Sequence, residues 1–278
     1  MERIGIIGFG RAGGALGAAL ASAGYPVTGV SARSRASRER AARLLPHVPV
    51  LEPAEVVAGA DVVLLAVPDD VIGAVATSLP FTEDQYAVHL SGAHGTAVLR
   101  GIAATPVALH PPMTFTDAPV SLAGVVFTAT APERALVERL VKDLGAEVQW
   151  IAEEQRALYH AGLVHGANHL VTLVSQALDV LREAGVVDPA ATLRPLLTAT
   201  LDNTLRSGHD ALTGPIVRGD VETVQAHLAV LRGRPASTYA ELARATVESA
   251  AGDGRLDAET AAEFVQVLER DRTGEAPR

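Results

Sequence analysis

The sequence predicts an α/β domain built on a doubly wound parallel sheet, followed by an all-α domain. Three observations predict it. Short apolar runs alternate with helical patterns through the first half of the chain, as a parallel sheet with crossover helices requires. The run "DVVLLAVP" is apolar almost throughout, which suits a central strand covered on both faces. After Ile151 no strand pattern remains and only helical periodicity continues.

In order, "RIGIIGFG" reads as a strand ending in glycines, and "AGGALGAALASAG" as a helix closed by Gly24. "PVTGVSA" is a second strand and "DVVLLAVP" a third. "YAVHLSG" and "PVALHPP" give two more, each ending in polar or Gly/Pro residues. "GVVFTAT" and "AEVQWIA" complete the sheet around a helix from about Pro132 to Leu144. Then "EEQRALYHAGLVHGANHLVTLVSQALDVLREAG" reads as one long buried helix, acidic at its start and stopped by Gly185. The helices "PAATLRPLLTATLDNTLRS", "DVETVQAHLAVLRG", "STYAELARATVESAAG" and "DAETAAEFVQVLERD" come after it. The expected domains are therefore 1–152 and 153–272, with a flexible tail at 273–278.

The 278 residues are 48% apolar, enough for a substantial core. No apolar run approaches the ~20 residues of a membrane span, and the N-terminus turns to glycine too early for a signal peptide. A cytoplasmic location is the expectation. With no cysteine, disulfides, thiolate metal sites and cysteine nucleophiles are excluded. The net charge of −9 without a basic tract argues against nucleic acid. Lys142 is the only lysine, and it sits at an exposed helix end before a glycine stop, badly placed for acid or Schiff-base chemistry.

"GIIGFGRAGGAL" contains Gly8-x-Gly10-x-x-Gly13. Following a strand and opening a helix, this spacing predicts a dinucleotide-binding turn. Gly8 makes the turn, Gly10 admits the pyrophosphate, and Gly13 lets helix and strand pack closely. The phosphates rest on the helix N-terminus beside Arg11. An NAD site places an acid at the end of the second strand; here Ser31 stands there, followed by Arg33, Ser34, Arg35 and Arg38. Hydroxyls and guanidinium groups favour a 2′-phosphate, so the expected cofactor is NADP(H). Pro68 and Asp69 leave the third strand at the edge where that cofactor lies, with Asp69 expected to cap the next helix.

The fourth and fifth strands end in "HLSGAHG" and "LHPPMTF". Both should emerge on the cofactor side, which makes Ser91 a cofactor or substrate residue and His94 and Thr114 substrate-facing. His110, wedged before two prolines, is a candidate catalytic group. Further along, a 100° wheel puts His165, Asn168 and Thr172 on one stripe, flanked by His169 and Ser175. His160 falls between that stripe and the face of Gly162 and Gly166, which would admit a close neighbour. His165 and His169 are four apart, but the HExxH glutamate is missing, so no metal is expected.

These stretches carry a resemblance. The N-terminal half resembles the NADP-binding domain of the 6-phosphogluconate dehydrogenase superfamily, which includes ketopantoate reductase, pyrroline-5-carboxylate reductase and the β-hydroxyacid dehydrogenases. Through "GFGRAGGAL", "VPDD", "HLSG", "HPPMTF", "YHAGLVHGANHL" and "TGPIVRGDVETVQAHL", nearly the whole chain resembles oxidoreductases that pair a Rossmann-like domain with a helical, 6-phosphogluconate dehydrogenase-like domain of uncharacterised function. The resemblance matches Asn168 to the catalytic asparagine of the β-hydroxyacid branch, while Val164 stands where that branch has its lysine. His160 or His165 would then supply the proton. It also implies that Thr213 and Arg218 reach substrate, that Arg218 clamps a carboxylate, and that the helical domain forms a homodimer. The implied activity is NADPH-dependent reduction of a small oxo acid such as 2-dehydropantoate. The alternatives are imine reduction of the pyrroline-5-carboxylate reductase type, or NADP binding without turnover.

Overall fold

A computed structural model describes residues 1–117 and 120–273. The chain forms two compact units, Met1–His165 and Gly166–Arg278. Most of the tail expected at 273–278 lies outside the described residues.

The first unit runs β1 (Ile4–Ile7), α1 (Arg11–Ser22), β2 (Val27–Ser31), α2 (Arg35–Leu44), α3 (Pro53–Ala58), β3 (Val62–Leu65), α4 (Ile72–Thr77), β4 (Tyr86–His89), β5 (Thr105–His110), β6 (Val126–Thr130), α5 (Ala135–Asp143), β7 (Glu147–Trp150) and α6 (Arg156–Leu163). The seven strands lie in the order β2-β1-β3-β4-β5-β6-β7. Every residue of β1 and β3 is buried, because both are covered on both faces. Ile4, Ile6, Val62 and Leu64 point into one core layer with Leu16, Leu20 and Val137. Ile7, Val63 and Leu65 point into the other, with Val56, Val57 and Ile72. This alternation makes the sheet doubly wound.

One pairing departs from the expected parallel sheet: β5 and β6 are antiparallel. The described residues between them form no crossover helix, and a parallel return needs one.

Register places the site. Ile7 pairs with Leu65, Leu65 with His89, and His89 with Ala108. The segments after β1, β3, β4 and β5 therefore leave one edge of the sheet side by side.

The predicted long helix is interrupted. Glu153–Gln155 is a 3₁₀ turn, Val164–Asn168 is π-helical, and α7 spans His169–Glu183. A π segment shifts the angular register of the residues C-terminal to it, so the 100° wheel linking His165 to Thr172 does not carry through. The two compact units meet in this segment, and α6 is bound to the sheet by its own side chains.

The second unit continues with α7, α8 (Pro189–Ser207), α9 (Val221–Val230), α10 (Gly233–Gly252) and α11 (Ala258–Thr273). Its core joins Val224 and Leu228 of α9, Ala243, Val247 and Ala250 of α10, and Phe264 and Leu268 of α11. Helix α7 has no buried residue and α8 buries only Pro189, which corrects the expectation of a buried histidine helix. No described helix is long and apolar enough to cross a membrane.

Candidate functional site

The turn after β1 is tied to β2: Gly8 N and Phe9 N donate to Ser31 O at 3.1 and 3.2 Å. Gly8 has φ +90°, and a β-carbon there would lie 2.4 Å from Ala66 O. A β-carbon on Gly13 would lie 2.2 Å from Gly8 O, so α1 packs on the turn backbone to backbone. Gly10 is different, since a β-carbon on it would meet nothing within 4 Å. It forms the N-cap of α1 without a side-chain cap bond, and the first turn holds no acid. Exposed Arg11 opens the helix. The result is an open notch beneath free N–H groups at the positive end of a helix, which fits a phosphate.

Beside β2 lies a cavity of about 610 Å³ lined by Ser31, Ala32, Arg33 and Arg38 on one side and by residues 50–53 and Glu55 on the other. The structure sorts its cations. Arg38 donates to the carbonyls of Arg33 and Ala32 at 2.6 and 3.4 Å, and Arg35 pairs with Glu39 at 2.7 Å. Arg33 is exposed and makes no ion pair among the described residues, so it is the guanidinium offered to a 2′-phosphate. The Ser34 hydroxyl caps α2, accepting from Ser37 N at 3.1 Å and donating to Ser37 Oγ at 2.9 Å. The two features together fit a phosphorylated dinucleotide.

Pro68 begins the turn after β3. Asp69 caps no helix, contrary to expectation: α4 has no side-chain cap bond, and the Asp69 carboxylate accepts from Ser91 Oγ at 2.5 Å. Ser91 Oγ in turn accepts from His94 N at 3.2 Å, while the His94 ring is exposed. Behind them His89 is fully buried, with Nε2 2.9 Å from Gly95 O and Nδ1 accepting from Ser91 N at 3.2 Å. Burial pushes its pKa down to about 4. His89 is thus a neutral brace for the turn that carries Ser91 and Gly92.

Helix α6 reaches this edge through two anchors three residues apart. Glu153 accepts from Thr96 N and Ala97 N at 2.8 and 3.0 Å, and from Thr96 Oγ1 at 3.1 Å. Burial raises its pKa, but these donors outweigh it and the net shift is downward. Arg156 is only 1% exposed. Its guanidinium donates to Ala108 O at 2.9 Å, Thr130 Oγ1 at 3.0 Å, and Ser91 O and Thr128 O at 3.3 Å. One side chain thereby gathers the ends of β4, β5 and β6.

One turn on, Tyr159 and His160 meet the end of β5. The Tyr159 hydroxyl lies 2.8 Å from His110 Nδ1, and the rings stand edge to face at 5.7 Å and 81°. A β-carbon on Gly92 would lie 2.9 Å from His160 Cδ2 and 3.1 Å from His110 Nε2, so only glycine fits between the two imidazoles. Burial first, then the Arg156 charge, pushes the His110 pKa down to about 4, leaving a neutral ring at pH 7.

The structure thus gathers Ser91, His110 and His160 at one sheet edge, with exposed Thr114 on the segment after β5. His165 and Asn168 lie in the π segment, both exposed. A β-carbon on Gly162 or Gly166 would meet nothing within 4 Å, so neither admits a close neighbour among the described residues. Thr213 belongs to the second unit, at the rim of a cavity of about 540 Å³. Arg218 is exposed there, and its neighbour Asp220 caps α9 through Thr223 N at 3.1 Å. No described cluster of His, Asp or Glu could hold a metal ion.

Sequence reasoning missed Tyr159, Arg156, Glu153 and His89. The signal for the first three is their spacing: 153, 156 and 159 recur every third residue, on one side of a helical start.

Residues 2–111 match the Rossmann-like domain family, and residues 124–246 match a domain of unknown function, DUF2520. No curated protein matches the chain. Among solved structures, a Bacteroides fragilis protein named as a candidate NADP oxidoreductase is 23% identical, with TM-score 0.76 over 89% of this chain and 98% of its own. A Myxococcus stipitatus imine reductase variant with NAD+ is 18% identical, with TM-score 0.61 over 95% and 99%. An Aspergillus terreus reductive aminase with NADPH and ethyl levulinate is 15% identical, with TM-score 0.63 over 99% and 95%. At such identities the likeness is one of fold. In this chain a match to the Rossmann-like domain is followed by a match to the DUF2520 domain.

Proposed function

We propose that the protein is an NADP(H)-dependent oxidoreductase that reduces a polarised C=O bond in a small oxo acid. The observation that carries this is the common sheet edge. The phosphate notch at Gly10 and the turns that carry Ser91 and His110 leave the same edge through residues in register, α6 brings Tyr159 and His160 to it, and ligands of open α/β sheets bind at that edge. A bound NADPH would supply hydride. The chain's own residues hold the phosphates at Gly8, Gly10, Arg11 and Gly13, hold the 2′-phosphate at Ser31 and Arg33, and present a proton donor where negative charge develops. The Pro68 and Ser91 turns border the cofactor; Ser91, His94 and Thr114 face substrate.

Arg156 has four of its five guanidinium N–H groups committed to protein oxygens and is buried, so it is no carboxylate clamp. The resemblance assigns that role to Arg218, with Thr213, Asn168 and His165 as the further candidates. 2-Dehydropantoate is the named substrate to try first.

Reduction of a C=N bond is the second reading. The fold relatives include an imine reductase and a reductive aminase, and the Asp69 carboxylate beside Ser91 suits a protonated nitrogen. NADPH titration by nicotinamide fluorescence, then a panel of oxo acids and cyclic imines monitored by nicotinamide absorbance, tests both. Absence of NADPH binding ends both readings.

The partner is a second copy of the chain. Val171, Leu196, Leu201 and Leu205 are 68%, 62%, 49% and 77% exposed on helices α7 and α8, more apolar surface than a helix keeps in water without a neighbour. A monomeric mass by light scattering at micromolar concentration would remove the dimer.

A further inference from the structure

We propose that the Tyr159 hydroxyl is the proton donor of this site and that His110 is its positioning residue. The inference deepens the reductase reading and rests on it.

The geometry ties the histidine to the tyrosine. His110 Nδ1 is occupied by the Tyr159 hydroxyl at 2.8 Å. A β-carbon on Gly92 would stand 3.1 Å from its Nε2, so that edge of the ring lies against the turn after β4. Ring and phenol are both half-buried, and a phenol that accepts from Nδ1 keeps its own O–H to give. The groups facing His110 are Arg156 and His160 from α6, Asp69 after β3, and His89 from β4. Burial, Arg156, His160 and His89 together outweigh Asp69, which opposes them, and hold the ring neutral, so it is no imidazolium acid. Lys142, the only lysine, is exposed on α5.

Tyr159 is also placed with little freedom. It comes three residues after the buried Arg156 and six after Glu153, and these two side chains fasten the start of the helix to β4, β5, β6 and the Thr96 turn. A donor held this way meets the demand that a catalytic proton be pre-positioned.

In the proposed step a reduced nicotinamide dinucleotide gives hydride to the carbonyl carbon, and the C=O π pair moves to oxygen. The Tyr159 O–H bond breaks, its proton bonds to that oxygen, and its electron pair stays on the phenolate. His110, carrying its proton on Nδ1, donates a hydrogen bond to the phenolate until a solvent proton restores the phenol.

The test uses the full chain with the best substrate of the panel. Tyr159→Phe removes one oxygen. It is expected to lower kcat about 100-fold or more, with KM and NADPH affinity within about threefold, and to abolish the alkaline limb of the kcat profile. Global replacement by 3-fluorotyrosine, which keeps the shape and acidifies the phenol, should move that limb to lower pH and serves if Y159F does not fold. Independently of turnover, ¹⁵N NMR of the NADP+ complex should show His110 protonated on Nδ1, with that signal shifting in Y159F. A Y159F enzyme within threefold of wild type, an unmoved limb, or an Nε2-protonated His110 overturns the assignment while the reductase reading stands. A wild type inert toward every carbonyl and imine overturns the reductase reading itself.

Discussion

Strands β1 and β3 of the first unit have no exposed residue, whereas helix α7 of the second has no buried one. The first unit satisfies itself. Its central strands β1 and β3 are covered on both faces, and even the buried Arg156 finds four oxygen acceptors. The second has a compact α9–α11 core but leaves leucines of α7 and α8 uncovered. The comparison teaches that the first unit finishes its own packing, while the helical part leaves apolar surface for something else to cover. An exposed apolar helix lacks the packing that stabilises most helices in water.

The largest test of this contrast is Arg156→Ala. It strands the carbonyls of Ser91, Ala108 and Thr128 and should cost about 3–5 kcal/mol, read by urea unfolding; a loss below about 1 kcal/mol would mean the first unit does not depend on its own buried network. Acid is next. The pKa of His89 falls from the ordinary 6.5 to about 4 on folding, so the unfolded chain binds the extra proton between those values. Stability from this group is full above pH 6.5, declines on the order of 3 kcal/mol as the pH falls to about 4, and changes no further below. His110 adds in the same window and direction. Urea midpoints that stay flat across that window would contradict the neutral, braced edge.

Gly13→Ala comes third. Its methyl group would stand 2.2 Å from Gly8 O, and the forced shift of α1 should cost about 2 kcal/mol and weaken NADPH binding, both measurable on one preparation by thermal shift with and without NADPH. Arg33→Ala should leave folding alone and weaken NADPH about tenfold, with NADH unchanged; equal loss for both cofactors would move the 2′-phosphate elsewhere. The smallest effect sharpens the other side of the comparison. Leu205→Glu on α8 should change the stability of the isolated chain by under about 0.5 kcal/mol yet shift the mass by light scattering from dimer to monomer.

Much of the fold was legible because it rests on local rules. Gly8, Gly10 and Gly13 announced the phosphate turn through backbone sterics alone, and "DVVLLAVP" announced a strand covered on both faces. The carboxyl-edge candidates Ser91 and His110 came from the rule that such sheets bind ligands at that edge, and His160 from the helix that follows the sheet. Less legible was the role of Asp69, which looked like a cap because caps are the local use of an aspartate; a serine 22 positions away, Ser91, claims it instead. Ser34 went the other way, serving its own helix.

The order of strands and helices, the dinucleotide turn and the excess of arginine over carboxylate after β2 were determined by the sequence itself, since each depends on neighbours within a few positions. Only tertiary structure decided the meeting of His110 with Tyr159, 49 positions apart, the burial of Arg156 under three strands, and the π turn that breaks the long helix. Those depend on sheet register and on packing across the chain, and no periodicity along the sequence encodes which side chains a sheet edge brings within a hydrogen bond.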